Sequence, residues 1–240
     1  VDVYLKKNIG YGKAVNFASK KVKTKYFFVM NPDAKIYQKT LSNLIQAAKK
    51  INRFGAIGPI YVHQKKDYKK NSVVERKEII AAAMLIDTKI FKKIKGYDKN
   101  IFLYYEDNDY FAKCNSLNLK LYYITNSFIT HKMVKQMKKN SLNLHSTTFS
   151  NSAEKNSTYL IGGWHGQWSK FYFLRKYRGF LIALLICLPN FLLNLLQIIP
   201  YIFFDLSKAK YKYFKIEGFL CSLIGMPSFK RSKFDKKYLY

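Results

Sequence analysis

Short apolar runs alternate with amphipathic stretches over residues 1–132, which predicts strands and helices in turn along the chain. The predicted strands cover residues 1–5, 26–30, 56–62, 79–86, 121–124 and 128–130. The predicted helices cover residues 14–22, 41–51 and 106–117. Strands that alternate with helices form layered domains with a largely parallel sheet. We therefore predict an α/β fold with a mixed, mostly parallel sheet flanked by helices.

The composition of the chain changes after residue 132. Residues 133–157 are rich in Lys, Asn, Ser and Thr and contain few aromatic residues, which predicts a linker. Residues 158–240 combine aromatic, apolar and basic stretches, and the tail from residue 208 mixes Lys with Tyr and Phe, as at a lipid headgroup surface. We predict a helical, membrane-associating region there, and a catalytic domain over residues 1–132.

A 25-residue apolar run covers residues 180–204 and is long enough to span a bilayer. Its polar members are Asn190, Asn194 and Gln197. Pro189 and Pro200 interrupt the run, and proline disrupts the interior of a helix. We therefore favour a broken hairpin that lies in one leaflet over a helix that spans the membrane.

The composition narrows the class of protein. Hydrophobic residues make up 49% of the 240-residue chain and aromatic residues 17%, which excludes a disordered chain despite a net charge of +29. Only five of the 43 basic residues are Arg, the residue that suits recognition of bases and phosphates best. The Lys excess favours an anionic membrane surface, and an A+T-rich genome is an equal alternative.

The three cysteines, Cys114, Cys187 and Cys221, form no CxxC pair. The sequence therefore predicts neither a disulfide framework nor a cysteine zinc site. This cysteine usage fits a reducing compartment.

An acidic residue follows the predicted strand 26–30 in the sequence Asn31-Pro32-Asp33. Ligands of open α/β sheets bind at the carboxyl ends of the strands, so Asp33 is well placed to hold a divalent cation on a diphosphate. The alternative is an ordinary turn, since Asn, Pro and Asp are common turn residues.

Three acids, Glu106, Asp107 and Asp109, cluster at the start of the predicted helix 106–117. Glu106 and Asp109 share one helix face and Asp107 points elsewhere, so we expect different roles within the cluster. A carboxylate aimed into a cleft is able to take a proton from an attacking hydroxyl. Helix capping and the helix dipole are the alternative explanation for one or two of these acids.

Two further features carry possible chemistry. His131 ends the last predicted strand, where a metal or phosphate role and a plain structural role both remain open. The strand-to-helix turn at residues 8–16 contains Gly10 and Gly12, which permit a tight turn, and Lys13, which suits a phosphate. A plain turn is the alternative, because the segment contains no dinucleotide or Walker motif.

Together these motifs resemble the family 2 glycosyltransferases, in particular the rhamnosyltransferase-like branch of bacterial cell-surface polysaccharide synthesis, which has the GT-A fold. The resemblance rests on order and spacing over residues 1–132. The motifs are NIGYGKAVN at 8–16, YFFVMNPDA at 26–34, AAAMLI at 81–86, GYD at 96–98, FLYYEDND at 102–109 and FITH at 128–131. The acidic block is the most specific of them, and the apolar C-terminal region matches loosely.

The resemblance implies roles for these residues. Asp33 would bind a divalent ion, manganese or magnesium, with His131 as a second ligand, and Asp107 would be the general base of an inverting transfer. Glu106 and Asp109 would orient the acceptor or support the base. The residues expected near the nucleotide-sugar donor are Asn8, Gly10, Lys13, Asn16 and Asp33.

The same resemblance implies a place and partners. We expect an enzyme on the cytoplasmic face of the inner membrane, with a lipid-linked glycan as acceptor and with no nucleic-acid partner. We also expect the family's first strand and helix to lie upstream of Val1, so that the chain is N-terminally truncated. Two alternatives stay open, an inactive membrane-bound remnant of the family and a basic nucleic-acid-binding protein.

Overall fold

The computed structural model describes residues 4, 7–131 and 152–232. These residues form two compact units, which we call the sheet unit (15–97 and 107–131) and the helical unit (4–14, 98–106 and 152–232). The predicted strand at 1–5 and most of the predicted linker at 133–157 lie outside the described residues, although a helix already begins at Ser152. The division at residue 132 therefore stays a prediction.

The first 131 residues contain four α-helices and six strands within the described part of the chain. The helices are α1 (Tyr11–Lys21), α2 (Thr40–Lys50), α3 (Thr88–Lys93) and α4 (Glu106–Ser116), and a 3₁₀ turn covers Val62–Asp67. The strands are β1 (Tyr26–Met30), β2 (Ala34–Ile36), β3 (Ala56–Tyr61), β4 (Val73–Arg76), β5 (Ala83–Asp87) and β6 (Leu121–His131).

The sheet is mixed, as predicted, and its strand order is β1-β5-β3-β6-β2, with β4 also beside β6. Only β3 and β6 pair in parallel, whereas β1–β5, β3–β5, β2–β6 and β4–β6 are antiparallel. The prediction of a mostly parallel sheet is therefore wrong. Strands β1, β3 and β6 do run in one direction, but β5 inserts between β1 and β3 and runs the opposite way.

Three of the predicted strands differ from the structure by more than one residue in their bounds. The segments at 121–124 and 128–130 form one strand, β6, because the pairing with β3 shifts register between Pro59 and Ile60 and then continues. The predicted strand at 79–86 is a strand only from Ala83. Both differences arise from pairing between distant segments, which local periodicity does not report.

The core of the sheet unit lies between α2 and the sheet. Its buried members are Leu44, Ala48, Phe54, Ile57, Leu85 and Ile124. Leu44 and Ala48 are four positions apart and therefore share the face of α2 that is buried against the strands. This packing fixes the strands whose ends carry the candidate site.

The described part of the chain after residue 151 contains three helices, namely α5 (Ser152–Arg178), α6 (Phe180–Phe204) and α7 (Leu206–Leu223). Phe171, Ala183, Cys187 and Phe219 form a shared core between them. A Cβ atom at Gly218 would lie 2.2 Å from the carbonyl oxygen of Trp164, so only glycine allows α7 to approach α5 this closely.

The apolar run at 180–204 is one continuous helix, α6, with Pro189 and Pro200 inside it. The broken hairpin that we expected is therefore wrong. Packing against α5 and α7 holds the helix together, although each proline removes one backbone N–H donor. Helix α6 is long and apolar enough to cross a membrane, with a mean hydropathy of 2.2 over its most apolar window, and it is the one such helix among the described residues.

Candidate active site

Asp33 is positioned by the turn that joins β1 to β2. The Asn31 N–H donates to the Ala82 carbonyl oxygen at 2.9 Å, and the Ala34 N–H donates to the Asn31 carbonyl oxygen at 3.0 Å. Strand β2 then pairs with the end of β6, where Ala34 lies opposite His131. As a result, Asp33 Oδ1 and His131 Nε2 are 2.9 Å apart.

The Asp33–His131 pair lies at the end of β6 and remains partly accessible. The Asp33 side chain is 21% exposed and that of His131 is 9% exposed. The charge of Asp33 also reaches Tyr61, whose pKa is raised first by burial and then by this carboxylate.

The chemistry of the pair suits a divalent cation. Carboxylate oxygen and imidazole nitrogen are both common ligands of manganese, and Asp33 retains an accessible fraction through which a ligand is able to reach it. No cluster of three or more His, Cys, Asp or Glu side chains that could hold a metal occurs in the described parts of the chain. The residues present therefore fit an ion that also takes ligands from a bound diphosphate and from water.

Asp107 is the second residue of α4, and one oxygen of its carboxyl group is removed from water. Its Oδ1 atom is buried and has no hydrogen-bond partner among the described residues. Burial raises the pKa of Asp107 to about 6, and the neighbouring Tyr97 side chain opposes this rise in part. An aspartate with this pKa is largely ionised at pH 7 and is a better proton acceptor than an ordinary aspartate.

Tyr97 is held beside Asp107 by Asn16 of helix α1. The Asn16 side chain accepts a hydrogen bond from the Tyr97 N–H and donates one to the Tyr97 carbonyl oxygen, each at 2.9 Å. Gly96, which precedes Tyr97, has a φ of +55°, and a Cβ atom there would lie 2.3 Å from Asn16 Oδ1. Asn16 therefore orders the loop that carries Tyr97.

Asp109 and Glu106 lie three positions apart on α4, and both are buried. The Asp109 side chain is fully buried, 3.9 Å from Lys113 Nζ, and Lys113 donates to the Gly96 carbonyl oxygen at 2.6 Å. This geometry favours support of the Gly96–Tyr97 loop over contact with an acceptor. Glu106 belongs to the helical unit, where burial first and then the charges of Tyr211 and Glu106 raise the pKa of Tyr104.

The turn before α1 is held by Asn8 and Gly10. The Gly10 N–H donates to Asn8 Oδ1 at 3.1 Å, and Gly10 has a φ of +86°. A Cβ atom at Gly10 would lie 2.4 Å from the Phe102 carbonyl oxygen. Both residues therefore shape the start of α1, and Lys13 follows in its first turn.

Comparison with known proteins identifies the family. The family profile described as glycosyl transferase family 2 matches residues 2–123, which is half of the chain. The chain belongs to glycosyl transferase family 2. The mixed α/β sheet with flanking helices is the fold that we predicted for this chain.

Comparisons of this chain with solved structures and with curated proteins add little to the family assignment. A solved structure described as GalNAc-T7 with UDP, GalNAc and Mn2+ is 12% identical, with a TM-score of 0.44. The similarity covers 51% of this chain and 30% of GalNAc-T7. No curated protein matches the glycosyltransferase.

The predicted site residues of the glycosyltransferase fall into two groups. The sheet unit contains the Asp33–His131 pair and the Asn16–Tyr97–Asp107 group. Each of them consists of residues that are far apart in sequence and that the fold brings together. Asn8, Gly10, Lys13 and Glu106 belong to the helical unit. Asn16 was predicted near the nucleotide, but both groups of its side-chain amide are bonded to Tyr97.

Two structural features near the acidic block are not evident from the sequence. Tyr97 occurs in the sequence as part of the GYD motif, which gives no sign of its effect on the pKa of Asp107. Tyr104 and Tyr105 adopt left-handed backbone conformations, with φ values of +64° and +66° immediately before α4. Two consecutive bulky residues in this region are strained, and such strain concentrates at functional sites.

Proposed function

We propose that this glycosyltransferase moves a sugar, with inversion, from a nucleotide-diphosphate donor to a lipid-linked glycan in cell-surface polysaccharide synthesis. The observation that carries the proposal is Asp107, a carboxyl group with a pKa of about 6 in the acidic block of a family 2 chain. The N-P-D form of the turn at Asp33 supports the rhamnosyltransferase-like bacterial branch.

Asp107 serves as the general base of the transfer. Its carboxylate accepts the proton of the acceptor hydroxyl, while that oxygen forms a bond to the anomeric carbon of the donor sugar. The bond from the anomeric carbon to the diphosphate breaks, and the electron pair leaves with the nucleoside diphosphate. Tyr97 lies beside this carboxylate and lowers its pKa in part, and Asn16 fixes the Tyr97 backbone.

Asp33 and His131 bind the diphosphate end of the donor. A divalent ion held by this pair, manganese or magnesium, would neutralise negative charge on the departing diphosphate. His131 Nε2 lies 2.9 Å from Asp33 Oδ1, and this contact restricts rotation of the Asp33 carboxylate. The pair therefore positions the donor through its diphosphate, whichever sugar the donor carries.

The helical unit attaches the enzyme to the inner leaflet in the plane of the membrane. Exposed apolar residues recur along one face of α6 at intervals of three and four, namely Leu181, Leu185, Leu188, Leu192, Leu196, Ile199 and Phe203. Leu181 is 72% exposed and Phe203 is 79% exposed, so the stripe is open at both ends of the helix. This stripe is suited to the acyl boundary of a leaflet.

The lysines of α7 favour attachment in the plane over a span. Lys212 donates to Gln197 of α6 at 2.5 Å, and Lys208 lies over the Tyr201 ring at 5.6 Å. Lys210 and Lys215 are on the same helix. If α6 crossed the membrane, α7 would carry these cations into the hydrocarbon, whereas in the plane they are able to reach anionic headgroups.

The transfer itself provides the test of the proposed function. The full chain in nonionic detergent is incubated with UDP- or dTDP-linked sugars, manganese and a polyprenyl diphosphate-linked monosaccharide, and release of UDP or dTDP is measured. Release should depend on the acceptor and on manganese, and Asp107→Asn should abolish it. Asp67→Asn, which removes an exposed carboxylate on the 3₁₀ turn, is the matched control and should retain it. Retained turnover in Asp107→Asn would remove Asp107 as the base.

A further inference from the structure

A cavity of about 330 Å³ lies wholly within the helical unit. Trp168 and Tyr172 of α5 form one wall, and residues 225–228, which follow α7, form another. Three cationic side chains, Lys13, Lys99 and Arg175, complete the lining. Lys13, which the family resemblance places near the donor, lines this cavity, but the roles proposed for Asp33, His131 and Asp107 do not require it.

The three cations that line the cavity are not neutralised by neighbouring acids. Within the described residues, Lys13, Lys99 and Arg175 form no ion pair. The acid beside them in sequence, Asp98, pairs instead with Lys176 at 2.6 Å and accepts from the Tyr172 hydroxyl at 3.0 Å. These contacts lower the pKa of Asp98, although burial opposes them, so Asp98 is ionised and already engaged. The cavity therefore carries three positive charges that an anionic ligand is able to balance.

The walls of the cavity are fixed by hydrogen bonds of their own. The Trp168 Nε1–H donates to the Met226 carbonyl oxygen, and Ser222 Oγ donates to the Trp168 carbonyl oxygen, each at 2.9 Å. The Arg231 guanidinium donates to the Ser228 carbonyl oxygen at 2.9 Å. These bonds preform the cavity, so a ligand does not have to order it.

The lining combines cations with apolar surface. Trp168, Met226 and Pro227 present ring and aliphatic atoms beside the charged groups. Arg175 lies only five residues before Phe180, where the apolar helix α6 begins. A ligand that joins a phosphate to a hydrocarbon chain matches both properties, whereas a free sugar or an amine matches neither.

We propose that this cavity binds the phosphate or diphosphate group of an amphiphile, with Lys99 and Arg175 as its principal ligands. Arg and Lys bind phosphate oxygens through charge-assisted hydrogen bonds, and Arg is able to do so in a bidentate manner. The phosphate site follows from the cavity alone. Only the assignment of its ligand as the lipid-linked acceptor rests on the proposed function.

The experiment uses the full chain in nonionic detergent, with intrinsic tryptophan fluorescence as the readout, because Trp168 lines the cavity. Dioctanoyl phosphatidic acid, dioctanoyl phosphatidylcholine and inorganic pyrophosphate are titrated separately. The test variant is Lys99→Gln/Arg175→Gln, which leaves Lys13 in place. The control variant is Lys49→Gln/Lys50→Gln, which removes two exposed charges from the end of α2 in the sheet unit.

We expect phosphatidic acid to bind more tightly than phosphatidylcholine and to bind at least about tenfold more weakly to the test variant than to the control variant. If pyrophosphate shows the same dependence on Lys99 and Arg175, the phosphate site stands and a soluble diphosphate is its ligand. Equal binding of phosphatidic acid and pyrophosphate by test and control variants overturns the site, as does binding of neither. Manganese-dependent UDP binding, measured on the same proteins, reports on the proposed function separately.

Discussion

Asn16 and Tyr97 are joined by two hydrogen bonds of 2.9 Å that use both groups of the Asn16 side-chain amide and both polar atoms of the Tyr97 backbone. This arrangement connects helix α1 to the loop before α4 across 81 residues of sequence. Since Tyr97 also lowers the pKa of Asp107 in part, the amide of Asn16 controls the surroundings of the proposed base without touching it.

Replacement of Asn16 should therefore affect both stability and the base. Asn16→Ala removes two hydrogen bonds to a buried residue and should lower the free energy of unfolding by about 2 kcal/mol. It should also move the lower midpoint of the activity–pH profile upward, because a displaced Tyr97 no longer lowers the pKa of Asp107. Denaturant unfolding and the pH dependence of kcat measure the two effects. Asn115→Ala, on the exposed end of α4, is the control, and an unchanged pH profile in Asn16→Ala would contradict the positioning role.

Local patterns predicted much of the sheet unit. Strand β1 was predicted with its observed bounds, whereas α2 differs from its predicted bounds by one residue at each end and α4 by one residue at its C-terminal end. Their apolar spacing is a local property, so the sequence alone contains it. The acidic block and the turn at Asp33 were recognised for the same reason, since each lies within a few consecutive residues.

The features that were mispredicted or missed depend on distant segments. The antiparallel insertion of β5 between β1 and β3 joins residues about 30 to 60 positions apart, which periodicity does not encode. The cavity of the helical unit likewise combines Lys13, residues 99–100 and two regions beyond residue 167. Helix α6 stays continuous because α5 and α7 pack against it, a tertiary effect that overrides the local preference of proline.

Asp107→Asn should abolish transfer and at the same time stabilise the protein at neutral pH. A carboxyl group with a raised pKa contributes stability that is present below its ordinary pKa of 3.8 and is lost as the pH rises through about 6. Asparagine carries no charge and avoids this loss. We expect a gain of about 3 kcal/mol in the free energy of unfolding at pH 8, and little change at pH 4.

Thermal or denaturant unfolding at both pH values tests this prediction. Asp67→Asn should show no such difference between pH 4 and pH 8, because Asp67 is exposed. For the unmodified enzyme, kcat should rise with pH around a midpoint near 6. If Asp107→Asn were equally destabilised at pH 4 and pH 8, the carboxyl group would stabilise the fold in both protonation states. That result would contradict the raised pKa of Asp107.

Removal of the Asp33 carboxylate should separate donor binding from proton transfer. Asp33→Asn keeps the shape of the side chain but loses the charge that pairs with His131, so manganese-dependent UDP binding should weaken by at least about tenfold. UDP titrations with and without manganese provide the measurement. His63→Ala is the control, because His63 is exposed and stacks on Tyr61 near the pair. Unchanged manganese dependence in Asp33→Asn would remove this pair from the donor site.

The apolar stripe on α6 should determine membrane attachment. Leu185→Glu/Leu196→Glu places two carboxylates at positions that are 70% and 69% exposed, so it should disrupt the lipid-facing surface without entering the core of the helical unit. We expect most of this variant to be lost from vesicles of phosphatidylglycerol and phosphatidylcholine in a flotation assay. Val73→Glu/Leu117→Glu introduces the same charges at exposed apolar positions of the sheet unit and should float as the unmodified protein does.

Protease protection of α7 in sealed vesicles decides the orientation, because a helix in the plane leaves the lysines of α7 open to trypsin from the outside. Protection of those lysines would instead require α6 to span the bilayer.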